Sequence, residues 1–233
     1  MAAAGRAAGS VLGTAFGTLG LLRGTRPLHP HGVVYDAVVR RTGAPYAFGA
    51  AWLDQPGEDH GLVRLSRAAG LPEPLPDVHG LALTFTGEDG ARHDLLLATT
   101  GMTGPTRFLL RPTWSARGVR YGSLLPYHAA GGLVLIAAVP VDAALAGSGE
   151  VFRLLAASPL GPWQPFGTLE MIAGGTTDRP IRFDPVRYVP PGLRWPEPLA
   201  QLRNPSYEAA RWTPVTRVVP SDSGTRSGHP PRW

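Results

Sequence analysis

The sequence contains no cysteine, and it contains no lysine: all 22 of its basic residues are arginine. Without cysteine there are no disulfides, no thiolate nucleophile and no thiolate ligand for a metal or cofactor. Without lysine there is no Schiff-base chemistry and no phosphate-loop lysine, while guanidinium groups remain available for bidentate pairing with carboxylates. Charge is sparse as well, at 17% of residues with a net +5. The arginines are scattered, with no basic run and no aromatic-interleaved stripe, which argues against a nucleic-acid surface. A long hydrophobic run is also missing. The apolar stretch between Arg6 and Arg23 is short and glycine-rich for a membrane span, and no small-x-small cleavage site follows Leu22. We read residues 1–25 as a helix packed outside the domain, with a signal peptide as the second reading and the cytoplasm as the expected location.

Glycine (30 residues) and proline (25) are abundant among the 233 residues, which fits many short strands joined by tight turns. Val33, Tyr35, Ala37 and Val39 alternate with their neighbours. HGLVRLS (60–66), HGLALTFTG (79–87), RHDLLLATT (92–100), GGLVLIAAVPV (131–141), EVFRLLAAS (150–158) and FGTLEMIAG (166–174) follow at strand length. Glu88-Asp89-Gly90 reads as a hairpin turn. After Asp178 the texture becomes proline-punctuated and extended, and LAQLRNPSYEAAR predicts a short helix near the C-terminus. The expectation is one α+β domain over 26–217, an antiparallel barrel with helical segments at both ends, and a Pro/Gly/Ser-rich disordered tail over 218–233.

Within the C-terminal helix, Tyr207 lies four residues after Arg203, on the same helical face. A guanidinium beside a phenol lowers its pKa from roughly 10 and favours the phenolate. The run FDPVRYVPPGLRWPEPLAQLRNPSY leading to it carries Phe183, Pro185, Val189, Pro191, Gly192, Pro196, Leu202, Arg203, Ser206 and Tyr207. In this it resembles the haem catalases, in the segment that ends on their iron-ligating tyrosine. Arg26-Pro-Leu-His29-Pro-His-Gly32 is similar to the catalase Arg-x-x-His-x-x-Gly element, and Val63-Arg64-Leu65-Ser66 to its Val-Arg-Phe-Ser strand. Asp77-Val-His-Gly80-Leu-Ala82-Leu-Thr-Phe85 resembles a further catalase strand. The four segments stand in family order and cover about 26–100 and 182–211.

The resemblance implies a catalase-like barrel binding haem b. It makes Tyr207 the iron ligand with Arg203 as charge partner, and Arg26 and Arg64 the propionate partners. His29 is then the acid/base residue, oriented by the Ser66 hydroxyl. A neutral imidazole above the iron would accept one peroxide proton and return it to the departing oxygen. The pattern breaks where catalases carry a distal asparagine: Ala98 falls there, or, with a one-residue slip, Thr99, which offers a hydroxyl in place of an amide. The chain is also shorter than full catalases between the histidine and the tyrosine, which implies a more open pocket.

The leading expectation is therefore a haem peroxidase acting on hydrogen peroxide or organic hydroperoxides with weak dismutation. Its partners would be peroxide and an unidentified small-molecule reductant, with at most a second copy of the chain in a homodimer. A non-catalytic barrel holding haem or a lipid-like ligand is the alternative. Phosphodiester hydrolysis is a third reading, and it lacks a mechanism here because no His-Asp metal pair and no second carboxylate–histidine cluster are present.

Overall fold

The computed structural model describes residues 32–68, 74–141, 150–172, 175–177 and 181–196. The expected terminal helices, the tail, and Arg26, His29, Arg203 and Tyr207 lie outside the described residues.

Strands β1 (Gly32–Thr42), β2 (Pro56–Arg67), β3 (His79–Thr86) and β4 (Arg92–Thr99) form a continuous antiparallel meander. It continues through β5 (Tyr121–Gly122), β7 (Gly132–Pro140), β8 (Glu150–Ala157) and β9 (Gln164–Met171). Strand β9 then pairs back onto β1, with Ala37 opposite Met171 and Arg41 opposite Gly167, so eight strands close an antiparallel barrel with no free edge at that seam. Two short strands sit beside it: β6 (Tyr127–Ala129) pairs with the start of β7, and β10 (Thr176–Thr177) with the start of β1.

Alternation along each strand decides what enters the barrel. Val63 and Leu65, then Leu81, Leu83 and Phe85, then Leu95 and Leu97 point inward from β2, β3 and β4 and join Ile136, Phe152, Leu154 and Leu169 from the far wall in one buried cluster. Their even-numbered neighbours on β2 to β4 face outward.

One end of the barrel is closed by a single helical turn, α1 (Ala51–Asp54), whose Trp52 inserts between Phe85 and Phe166 at ring distances of 5.4 and 5.2 Å. The Asp54 carboxylate folds the preceding loop by accepting the backbone N–H groups of Phe48, Gly49 and Ala50. Trp52 Nε1 donates to Asp59 Oδ2 at 3.0 Å. Arg41 Nε donates to the same carboxylate oxygen at 2.9 Å, and its other nitrogens reach Gln55 O and Glu88. This floor is a buried ion pair: the Arg41 and Asp59 side chains are 6% and 1% exposed.

The proline-rich stretch that precedes the expected C-terminal helix is docked on the barrel. It covers the side of β4 where β5 is too short to pair: Asp94 N–H donates to Tyr188 O, and Asp184 N–H donates to the fully buried Asp94 carboxylate at 2.6 Å. Arg92 fixes that carboxylate with two bonds of 3.0 and 2.8 Å, and its guanidinium lies over the Tyr188 ring. The His93 ring has Val189 O at Nδ1 and the Asp89 carboxylate at Nε2. Both partners are acceptors, so only the doubly protonated ring makes both bonds together. The Asp89 carboxyl is held below its ordinary range, first by the Ala91 N–H and then by His93. Gly192 adopts a left-handed backbone (φ 81°) hard against Ala50, where a β-carbon would meet the main chain. Trp195 ends the stretch, buried beside Tyr127 and donating to Pro185 O at 2.7 Å.

Candidate functional site

The residues brought together for a site lie on the outer face of β1 to β5. Register sets Gly32 opposite Ser66, Ser66 opposite Gly80, Gly80 opposite Ala98, and Ala98 opposite Gly122. Gly122 in turn faces Ala137 on β7. Every residue in this row is glycine, alanine or serine. With neighbouring strands about 4.8 Å apart, the part from Ser66 to Gly122 forms a shelf about 14 Å across on which no large side chain stands.

Arg64 and Ser66 point to this face from β2. The Arg64 side chain passes over Gly32, where a β-carbon would lie 2.8 Å from its Nε and Cζ. Gly32 is thus the residue that lets a guanidinium cross the first strand at one end of the shelf. Ser66 is 6% exposed and stands between Gly32 and Gly80. Gly32 therefore has a steric role that spacing alone left without a cause.

Thr99 does not stand with Ser66. It lies on the inner face of β4, where its Oγ1 accepts the His79 N–H at 3.1 Å and ties β3 to β4. Ala98 is the residue of that pair on the shelf, and it brings a methyl group there. His79 is buried at the inner end of β3, with Nδ1 2.9 Å from Thr113 Oγ1. Burial lowers its pKa below the ordinary histidine value, against a smaller raising effect of Asp77.

Sequence reasoning passed over Thr100. It is 2% exposed, and its hydroxyl sits where a β-carbon of Gly122 would be, so it belongs to the shelf face. Beyond it the chain turns out of β5 through Leu124, a buried non-glycine residue in left-handed backbone (φ 60°). Tyr121, on the inner face, has its phenol pushed up by burial and donates to Ala116 O, so it stays protonated.

Among the described residues no three of His, Asp and Glu gather as metal ligands, and no helix is long and apolar enough to cross a membrane.

No protein-family model matches the chain, and no curated protein matches it by sequence. Solved structures do match. A bacterial catalase aligns over 80% of this chain and 56% of its own, at 15% identity and a TM-score of 0.59. A fungal catalase aligns over 79% and 58%, at 13% identity and 0.57. Catalase A from Saccharomyces cerevisiae aligns over 79% and 60%, at 12% identity and 0.57. The chain thus spans less than two thirds of the length of these catalases. At such identities the likeness is one of architecture, and the architecture of this chain is the catalase fold.

Proposed function

We propose that the chain binds haem b against the outer shelf of the barrel and uses it for peroxidase-type chemistry on hydrogen peroxide or organic hydroperoxides. The observation that carries this is the register itself. It brings Gly32 and Ser66 from the two catalase-like segments into one row of small residues about as wide as a planar macrocycle, with Arg64 on the same face two residues along β2. The donor set fits such a group: a guanidinium for a propionate at one end, glycines and alanine beneath the ring, and a buried, unpartnered threonine oxygen beside it.

When bound, haem supplies an iron centre at which a peroxide O–O bond is cleaved. The chain's own residues do the rest. Arg64, with Arg26, neutralises the carboxylates. His29 stands three residues before Gly32 in the sequence, which ties its reach to the Gly32 end of the row. There its imidazole takes a proton from peroxide and returns it to the leaving oxygen, and the Ser66 hydroxyl holds the ring in one orientation. Tyr207 would hold the iron as an anionic ligand, with Arg203 favouring its phenolate form.

Ala98 gives the site no amide to polarise peroxide, so one-electron oxidation of a small-molecule reductant fits it better than rapid dismutation. The same alanine favours a second reading, a barrel that holds haem without turnover. Peroxide-dependent dye oxidation separates the two. His29→Ala is expected to lower turnover by about 100-fold or more with the haem spectrum retained. Turnover equal to the parent protein excludes His29 as the acid/base.

A further inference from the structure

The shelf leaves one polar atom unexplained. Thr100 follows Ala98 by two residues and returns to the same face, its hydroxyl lying over Gly122. Oγ1 is buried and has no hydrogen-bond partner. The nearby threonines differ: Thr99 Oγ1 accepts from His79 N–H, and Thr113 Oγ1 reaches both His79 Nδ1 and Ser115 O. Leaving a buried hydroxyl unpaired is unfavourable, and valine has the same shape without that cost. A hydroxyl in this position is explained by a partner that is not part of the chain.

We propose that Thr100 Oγ1–H donates a hydrogen bond to the oxygen of a peroxide held over the shelf beside Ala98. This rests on haem lying on that shelf. A hydroxyl offers one rotatable donor, where an amide offers two in fixed directions. It therefore suits a hydroperoxide R–O–O–H whose alkyl group lies along the row of small residues, with Thr100 itself standing over Gly122. Thr100 is then a residue for binding and selecting substrate, and the small row sets the room for R.

The test uses full-length protein loaded with haem, fluoride as the probe of hydrogen-bond donation to an iron ligand, and the variants Thr100→Val and Thr100→Ser. Thr100→Val is expected to weaken fluoride binding by about tenfold or more while the ligand-free Soret band is unchanged, and Thr100→Ser to bind fluoride as the parent does. Without haem, Thr100→Val should melt at the parent temperature or about 2–4 °C above it, because an unpaired buried hydroxyl has been removed. Parent-like fluoride affinity in Thr100→Val, with an intact Soret band, overturns the role of Thr100 and leaves haem binding standing. A lower melting temperature of the haem-free variant also overturns it, by making the hydroxyl a structural partner. A parent protein that takes up no haem removes both.

Discussion

Replacing Asp59 with alanine should destabilise the barrel by about 3–5 kcal/mol, the usual cost of leaving one partner of a buried ion pair behind. The carboxylate accepts from both Arg41 and Trp52 Nε1, so its loss strands a guanidinium that is 6% exposed and an indole N–H beneath it. Arg41 retains Gln55 O and Glu88, but Glu88 is solvent-exposed and screens poorly for the missing charge. Trp52 would lose the bond that fixes it between Phe85 and Phe166. For a chain of this size each kcal/mol shifts the melting temperature by about 2–4 °C, so a fall on the order of 10 °C is expected in a thermal melt. A shift within 2 °C would mean that the floor of the barrel is held by packing alone. Asp59 is remote from the shelf, so haem uptake below the melting point should be unchanged.

The second large effect belongs to the shelf. Ala98→Phe places a ring across the row between Gly80 and Gly122, on the outer face and away from the packed interior. Haem affinity, measured by Soret titration, should fall on the order of 100-fold, because the macrocycle and the ring compete for one flat strip. The interior cluster is untouched, so the haem-free melting temperature should stay within about 4 °C of the parent. Parent-like affinity would move haem off this face. A collapse of the fold would contradict the assignment of Ala98 to the outside of the barrel.

Much of the barrel could be read from alternation. Val63/Leu65 and Leu81/Leu83/Phe85 repeat every second residue, and most observed strand ends fall within one residue of the expected ones, while β2 begins four residues earlier. Strands β5 and β6, of two and three residues, are too short to carry a period. The floor was hidden for a different reason. Arg41 and Asp59 occupy inward positions but look like solvent-facing charges until Trp52 is folded beneath them. The shelf is non-local: Gly32, Ser66, Gly80, Ala98 and Gly122 come from five strands, and only their register makes them one surface. Spacing could not choose between Ala98 and Thr99 either, and it left Thr100 out. A strand sends consecutive side chains to opposite faces, so the parity of β4 against β3 had to be known before Thr99 could be put inside and Thr100 outside. The proline-rich approach to Tyr207 looked merely extended, although its carbonyls at Tyr188 and Val189 are what secure it to Asp94 and His93.

The most direct measurement is the absorption spectrum of the purified protein supplied with haem, beside its Tyr207→Phe variant. A catalase-like haem site gives an intense Soret band with tyrosinate-type ferric features, and Tyr207→Phe abolishes those features. A parent protein that stays colourless with haem available contradicts haem binding outright. An unchanged spectrum in the variant contradicts Tyr207 as the iron ligand.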